Sequence, residues 1–516
     1  MFWADEIVKK AIKIHGKKSQ LISTGITPSG HIHFGHAMEV FIADTIRAAF
    51  RTHNIKADLI YIRDDFDHLR KIPKGVPKSF KKYLGMPLIF VPDPKGNKKL
   101  SFAERYLGDF FYALNQLELK VKKVSQYELY KSGKMTEVID QAIKNQKKIK
   151  KILETISNRE LNKNWSPVSP LCAKCKKLGF NNILEYDLKK HRVLYKCECG
   201  NKAWANYSKG EAKLGWRVDW PAKWEALGVT VEPFGKDHAA SGGSYESGVA
   251  ICEKIYKRKP PVPIPYENIY LKGQKGKMSS SVGNVISLKD AVDNFPPEAL
   301  KYLVMRKKPN RHLIFDPGEG LLQVIDEITK LQDKKVRNKF DKNQIRAYEL
   351  SQIRQSRVNI SFRHLVNVVQ AAQGNFQEIK RLLKRTNHFK KVSDEKILKR
   401  EIKRVKNWLD NFAPEKVKFQ IQKSLPPKAQ DLSAKQKQLL NIIIKKLQEN
   451  RKIIAESLHN FIYESGKKLD LTPAETFQPI YWVILGKDSG PKIGWFLIML
   501  NKKFLIKRFK EAIKNK

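Results

Sequence analysis

The chain has 516 residues, of which 41% are hydrophobic, so it is long enough and apolar enough for several globular domains rather than a disordered segment. Its 100 lysines and arginines exceed its 52 acidic residues and give a formal net charge of +48, which favours a polyanionic partner such as nucleic acid. Because the lysines are spread over the whole chain, this charge permits such a partner without identifying one.

Several protein classes are excluded by what the sequence lacks. No GxxxxGK[ST] or GxGxxG fingerprint occurs, which excludes P-loop kinases and dinucleotide dehydrogenases. The N-terminus has no basic region followed by an apolar core, and no apolar run approaches the ~18 residues of a membrane span. We therefore expect a cytoplasmic protein.

A β-turn-α joint is predicted near the N-terminus. The apolar pair Leu21 and Ile22 indicates a strand, the turn residues of Thr24–Gly35 follow, and a helical pattern begins near Met38. His33 and His36 stand one helical turn apart at the helix entrance, where unpaired backbone N–H groups and the helix dipole favour anions. We expect this joint to hold a triphosphate, and the alternative is that both imidazoles are polar cap residues.

A cluster of carboxylates follows the next predicted strand, 57–62. The segment Arg63-Asp64-Asp65-Phe66-Asp67 stands at its carboxyl end, and ligands of open α/β sheets bind at such ends. A binding site for a cationic substrate and a solvated loop or helix cap are equally consistent with this pattern.

Four of the five cysteines form two close pairs. Cys172 with Cys175 and Cys197 with Cys199 present four thiolates on two knuckles, a set that closes a tetrahedron around a structural Zn²⁺. His191 is an alternative fourth ligand. Reduced structural cysteines are the alternative for the whole set.

Three motifs in the middle of the chain supply aromatic and charged side chains. The tryptophan-rich run 216–224 predicts either core packing or a pocket wall at Trp220 for a long aliphatic side chain. Asp237 and His238 follow a predicted strand and are binding candidates, with helix capping as the alternative. Tyr266 and Glu267 offer a further aromatic wall and a carboxylate.

A glycine- and lysine-rich loop, 272–284, follows a strand-like run at 268–271. From Ser287 onward the pattern is helical, and beyond about residue 320 the periodic segments are helical and rich in lysine, including 319–336 and 433–458. The second half of the chain is therefore predicted to be all-α.

The histidine stretch and the lysine–serine loop, in this order around an α/β region, resemble the HIGH and KMSKS motifs of class I aminoacyl-tRNA synthetases. The aspartate segment continued by 69–73 and the tryptophan-rich run resemble the lysine-specific members of that class. The resemblance implies an α/β fold: a Rossmann-type catalytic domain with a parallel sheet and a zinc-bearing insertion, followed by an all-α anticodon-binding domain. The domains expected are a split catalytic domain (1–75 and 216–285), an insertion (76–215), a connecting helical region (286–345) and the anticodon-binding domain (346–516).

The resemblance also implies the reaction and the groups that take part in it. Lysine would be attached to tRNA(Lys) through a lysyl-adenylate, with ATP as substrate and with Mg²⁺, by a monomer. The catalytic residues implied are His33, His36 and Lys277. The residues implied to bind ATP are Gly35, His36, Asp237, Lys275, Lys277, Met278, Ser279 and Ser280. The residues implied to bind lysine are Gly25, Thr27, Asp65, Trp220, His238, Tyr266 and Glu267.

The lysine–serine loop departs from the family pattern at one point. The second lysine of KMSKS falls on Ser280, and Lys275 is the candidate substitute. This departure motivates one alternative, a non-catalytic paralogue that binds tRNA. A separate alternative is a class I relative for another amino acid, glutamate being the nearest.

Overall fold

The computed structural model describes residues 1–179, 181–274, 276, 286–353, 360–386, 395–449 and 453–514. The chain divides into two compact units. The sheet-bearing unit comprises Met1–Val292, Pro297–Phe315 and Leu331–Ile353, and the helical unit comprises Asp293–Pro296, Asp316–Lys330 and Arg354–Lys516.

The strands all lie in the sheet-bearing unit. In chain order they are β1 Gln20–Ile26, β2 Ala57–Arg63, β3 Lys122–Ser125, β4 Val168–Pro170, β5 Asn181–Asp187, β6 Arg192–Cys197, β7 Lys202–Asn206, β8 Ala212–Leu214, β9 Val231–Gly235, β10 Val262–Tyr266, β11 Ile269–Leu271 and β12 Leu313–Phe315.

The helices of both units follow the same numbering. They are α1 Trp3–His15, α2 Met38–Thr52, α3 Phe102–Gln116, α4 Gln126–Lys131, α5 Thr136–Lys144, α6 Gln146–Ser157, α7 Trp216–Leu227, α8 Ser244–Lys254, α9 Leu288–Asn294, α10 Pro297–Met305, α11 Glu319–Gln332, α12 Lys334–Arg337, α13 Lys342–Ser351, α14 Phe362–Ala371, α15 Phe376–Arg385, α16 Glu395–Asn411, α17 Ala434–Gln448, α18 Ala455–Lys467, α19 Pro473–Leu485, α20 Ile493–Met499 and α21 Lys502–Lys514. None of those in the described ranges is both long enough and apolar enough to cross a membrane.

The main sheet has five strands in the order β10-β9-β1-β2-β3, and every neighbouring pair is parallel. The chain leaves β1 toward β2 on one side and returns to β9 on the other, so the strand order reverses at β1. Open α/β sheets bind ligands at such a point, outside the carboxyl ends of the strands. The predicted α/β fold with a parallel sheet is confirmed.

Helix α2 covers the sheet and begins at its carboxyl edge. A short 3-10 turn, Phe34–Ala37, leads into it, and it is buried along most of its length, including Val40, Phe41 and Ile46. Burial of this apolar face holds the histidine stretch against the end of β1.

The segment between β3 and β9 carries a second, smaller sheet. Strands β4 and β8 pair antiparallel at the base of this segment. Between them in the chain, β5, β6 and β7 form a separate antiparallel sheet of three strands. The short, lysine-bearing β3 lies within 76–215, the range assigned to the insertion, yet it forms an edge of the main sheet. The predicted domain boundaries otherwise stay predictions.

The helical unit is built from amphipathic helices, as the periodicity predicts. Capping boxes at Ser433 and Thr472 start α17 and α19 by satisfying backbone N–H groups of the first turn. The two long helices predicted from periodicity are each divided. Asp333 caps α12 with its side chain and ends the run of 319–336, and α17 ends at Gln448 where Glu449 adopts an extended conformation.

Candidate active site

Two joined cavities lie at the carboxyl edge of the main sheet. The inner pocket, of about 200 Å³, extends between β1, β9 and α7, and the outer cleft, of about 1020 Å³, opens in front of the histidine stretch. Both are lined by Ile26, His36, Gly235, His238 and Tyr266, so the inner pocket opens into the outer cleft.

His33 and His36 stack on each other where the 3-10 turn enters α2, with 3.6 Å between their ring centroids. Burial lowers the pKa of His33 to about 4, and burial together with His33 lowers the pKa of His36 to about 3, so both rings are neutral near pH 7. The Nδ1 atom of each ring is buried without a hydrogen-bond partner among the described residues. A Cβ at Gly35 would stand 2.9 Å from the His33 ring, so any larger residue at this position would displace that ring.

Buried carboxylates line the inner pocket. Glu232 on β9 accepts hydrogen bonds on both oxygens, from Trp220 Nε1 at 3.0 Å and from Trp224 Nε1. Burial raises the pKa of Glu232 to about 7, although the two indole donors oppose this. Glu39 lies on α2, and its Oε1 has no hydrogen-bond partner in the part of the chain that the structure describes.

A buried lysine is shared between two aspartates beside this pocket. Lys223 Nζ lies 2.7 Å from Asp64 Oδ1 and 2.9 Å from Asp219 Oδ2. Burial raises the pKa of Asp64 to about 6, with Lys223 acting against it. Asp219 also accepts hydrogen bonds from Gln126 and Tyr130, so it is directed away from the cavity, and Asp64 is the aspartate of this pair that lines the inner pocket.

The inner pocket therefore combines acidic groups with aromatic walls. Its described lining includes the acidic residues Glu39, Asp64 and Glu232 and the cation Lys223, together with Trp216 and Trp220, whose rings stack 5.4 Å apart. Because a long aliphatic stem needs apolar contact and an ammonium needs carboxylates, this lining suits a side chain such as that of lysine.

The sequence-predicted residues divide between the two cavities. Gly25 and Trp220 line the inner pocket, and His36, His238 and Tyr266 line both cavities. The outer cleft is also lined by Thr27, His33, Gly35, Asp237 and Glu267. The predicted loop residues Lys275, Lys277, Met278, Ser279 and Ser280 lie outside the described residues.

Two of the predicted acidic residues have partners within the protein. Asp65 Oδ1 accepts a hydrogen bond from the backbone N–H of Tyr127 at 3.0 Å. The described lining of the inner pocket contains its neighbour Asp64, whereas the sequence predicted Asp65. Glu267 lies 2.7 Å from Lys236 and 3.1 Å from His312, at the rim of the outer cleft. The roles assigned to both residues stay predictions.

Sequence reasoning missed Glu39, Glu232 and Lys223. Glu39 follows His36 by three residues and so shares its helix face, and Glu232 interrupts the apolar strand β9. A charged residue inside an apolar run was the signal available for both.

The four clustered cysteines converge on one point. Their Sγ atoms all lie within 4.8 Å of one another, with 3.6 Å between those of Cys172 and Cys199 and 3.7 Å between those of Cys175 and Cys197. Four thiolates bonded to zinc at about 2.3 Å in a tetrahedron stand about 3.8 Å apart, so this set fits the ion. His191 instead contacts Asp140, at 3.2 Å.

Comparisons with known proteins agree along the whole chain. A family model described as "tRNA synthetases class I (K)" matches residues 1–354, and one described as "Anticodon binding domain" matches residues 371–513. A lysine–tRNA ligase of Methanosarcina barkeri is 40% identical over 99% of this chain and 97% of its own length. Lysine–tRNA ligases of Thermoplasma acidophilum and Methanocaldococcus jannaschii are 38% and 37% identical, over 100% and 99% of this chain and 99% of each relative.

Proposed function

This chain belongs to the family of class I tRNA synthetases, and from that premise we propose that it is a lysine–tRNA ligase, which attaches lysine to tRNA(Lys) at the expense of ATP. The observation that carries the proposal is the inner pocket, where three acidic residues and tryptophan walls open directly into the cleft of the paired histidines. A glutamate enzyme would need a cationic pocket, and Lys223 is already held by two aspartates.

The outer cleft is proposed to bind ATP. His33 and His36 are neutral, so they act on phosphate oxygens as N–H donors rather than as charges. Gly35 and Asp237 line the same cleft. Lys277, with Lys275, Met278, Ser279 and Ser280, is assigned to the phosphates from its sequence motif alone, and Mg²⁺ would neutralise phosphate charge when bound.

The inner pocket is proposed to bind the lysine side chain. Trp220 and Tyr266 supply apolar surface to the methylene stem, and Glu39 and Glu232 supply acceptors to the ammonium. Gly25 lines the pocket, and a Cβ there would stand 2.7 Å from the Ile62 carbonyl, so the space beside β2 requires glycine. His238, Thr27, Asp65 and Glu267 remain proposed lysine contacts.

The reaction proceeds in two steps that the joined cavities place next to each other. The lysine carboxylate attacks the α-phosphate of ATP, pyrophosphate leaves, and lysyl-adenylate forms. A ribose hydroxyl of the terminal adenosine of tRNA then attacks the activated carbonyl, and AMP leaves. Positioning and charge stabilisation supply most of the catalysis, since the protein forms no covalent bond.

The remaining predictions concern partners and metal. We propose that the helical unit binds the anticodon arm of tRNA, which the matching anticodon model supports. We propose that Cys172, Cys175, Cys197 and Cys199 hold a structural Zn²⁺ and leave no ligand position open for catalysis. The monomeric state and the cytoplasmic location stay predictions.

The proposal is tested by exchange of labelled pyrophosphate into ATP, measured with lysine, glutamate or cysteine, each with and without tRNA. Of the three amino acids, we expect only lysine to support exchange. In the His36→Ala variant, loss of one donor to the developing charge should lower kcat by about 10²-fold to 10³-fold. His53→Ala is the matched control, because His53 contacts Asp5 and lies outside both cavities.

The two alternatives give different results in the same assay. Exchange supported by glutamate would assign the chain to that amino acid. No exchange under any condition, with tRNA still bound, would leave a paralogue that binds tRNA without catalysis.

A further inference from the structure

A hydrogen-bonded chain of three side chains, of which the first two are buried, runs from β8 to the outer cleft. Lys213, the middle residue of β8, pairs through Nζ with Asp67 Oδ1, and both residues are buried. The other oxygen of that carboxylate, Oδ2, accepts a hydrogen bond from Thr27 Oγ1 at 2.7 Å. Thr27 directly follows β1 and lines the outer cleft.

The charge of Asp67 fixes the direction of the last hydrogen bond. Burial raises the pKa of Asp67, but the Lys213 charge and the hydrogen bonds from Lys213 and Thr27 outweigh it and bring the pKa to about 2. An ionised carboxylate has no proton to donate, so the single hydroxyl proton of Thr27 must point at Asp67. The lone pairs of Thr27 Oγ1 that remain are left to accept a hydrogen bond from the cleft.

We propose that Asp67 and Lys213 are positioning residues, which hold Thr27 as a hydrogen-bond acceptor for the α-ammonium of the amino-acid substrate. The proposal rests on the proposed function, since it takes the substrate to be an amino acid with its side chain in the inner pocket. Thr27 follows Ile26, which lines both cavities, so the α-carbon of such a substrate lies at this junction. An ammonium has donors only, so an acceptor is what the junction must present.

Lys213 keeps Asp67 ionised, so the Thr27 hydroxyl continues to donate its hydrogen bond to Asp67. Among the described residues, the titratable groups around Asp67 are Lys213 from β8, Lys223 from α7, and Asp64 and His68 from its own segment. Without Lys213, burial and the charge of Asp64 raise the pKa of Asp67 toward neutrality. A protonated Asp67 can donate to Thr27, which frees the hydroxyl proton to point at the ammonium.

The test measures lysine-dependent pyrophosphate exchange together with inhibition by 6-aminohexanoic acid, which is lysine without its α-ammonium. In Asp67→Asn, the amide can donate to Thr27, so we expect KM for lysine to rise about tenfold or more. KM for ATP and the inhibition constant of 6-aminohexanoic acid should stay within about twofold of the wild type, because neither ligand presents an α-ammonium.

Lys213→Met supplies a readout that a structural role does not produce. Its KM for lysine should exceed that of the wild type at low pH and recover as Asp67 ionises, whereas Asp67→Asn should show no such recovery. Since Asp67→Asn leaves Lys213 buried without its partner, the double variant Asp67→Asn/Lys213→Met keeps the charge balanced and should reproduce the raised KM for lysine. Adding Thr27→Val to Asp67→Asn should raise KM for lysine little further, because both changes remove the same hydrogen bond to the α-ammonium.

Asp93→Asn is the matched control, since it removes a buried carboxylate that pairs with Arg105 outside both cavities. It should lower thermal stability with KM for lysine unchanged. An unchanged KM for lysine in Asp67→Asn, or an equal loss of affinity for 6-aminohexanoic acid, would overturn the positioning role. Failure of the proposed function is separate from this, because it would appear as absent exchange in the wild-type protein.

Discussion

Burial, more than residue type, sets the charges of the side chains at the site. The histidines predicted at the entrance of α2 are present, but their burial makes them neutral donors. In the inner pocket the same effect raises the pKa of Glu232 to about 7, and burial with the charges of Glu232 and Asp64 raises that of Glu39. The free pocket therefore retains protons near neutral pH, and a bound ammonium favours their release.

This proton release predicts how lysine binding depends on pH. Below the pKa of about 7, Glu232 is protonated and has no charge to attract the ammonium. We expect KM for lysine to fall roughly tenfold as the pH rises from about 6 to about 8, since one proton leaves the site on binding. KM for lysine measured by pyrophosphate exchange at each pH tests this expectation.

Glu232→Gln should weaken lysine binding about tenfold or more at the upper end of this range, with a flatter pH profile. Glu225→Gln on α7 is the control, because Glu225 is partly exposed and faces Arg258 instead of the inner pocket. If KM for lysine depended on pH as steeply in Glu232→Gln as in the wild type, Glu232 would not be the group that titrates.

At the scale of elements, the four clustered cysteines lie before or at the ends of strands of the three-stranded sheet. Cys172 and Cys175 precede β5, Cys197 ends β6, and Cys199 stands in the turn before β7. Cys175→Ser removes one of four thiolates, so we expect zinc affinity to fall at least about hundredfold and thermal stability to fall with it. Metal content per chain and thermal unfolding are the measurements.

The fifth cysteine supplies the control for this experiment. Cys252 on α8 is buried, and its Sγ lies 3.4 Å from the carbonyl of Arg258, away from the cluster. Cys252→Ser should keep the zinc content of the wild type. Equal zinc content in Cys175→Ser would show that the cluster holds no ion.

Local patterns predicted the elements at the centre of the fold. The apolar runs and turn residues indicated β1, α2 and β2, because each buries a continuous face against its neighbours in sequence. Strand β3 was missed, since a short edge strand that begins with Lys122 and Lys123 has no apolar alternation.

The site was predictable only in part, for a related reason. A cluster of aspartates after β2 was correctly placed at the carboxyl edge, but which one faces the pocket depends on contacts made across the fold. Asp64 is turned toward Lys223 of α7, and Asp65 toward the backbone of Tyr127. Glu232 approaches from a strand far along the chain, so its place in the pocket follows from the order of strands in the sheet.

At the scale of the whole molecule, the net charge of +48 predicts that binding of RNA depends strongly on salt. Under the proposed function, tRNA binding releases cations from the phosphates that lysines and arginines contact. If about six phosphates are contacted, affinity should fall about 10³-fold between about 50 and about 200 mM salt. Fluorescence anisotropy of labelled tRNA across this range measures the slope.

Lysine-dependent pyrophosphate exchange without tRNA is the internal control for this titration. It should change far less with salt, because Glu39 and Glu232, which are proposed to contact lysine in the inner pocket, are buried. A flat salt dependence of tRNA binding would show that the excess charge plays no part in holding RNA.

The antiparallel pairing of β4 with β8 brings together the two ends of the segment between them, which limits how the gene for this region can change. Val168 lies opposite Leu214 and Pro170 opposite Ala212, so the segment 171–211 begins and ends at neighbouring points within the sheet-bearing unit. Recombination that lengthens or shortens the loops of this segment would leave its two ends in place, whereas replacement of the whole segment would remove Tyr195 and Tyr207 from the core that they share with Tyr130. Lys213 lies in β8, outside the segment, so a chain changed in this way would keep the salt bridge to Asp67.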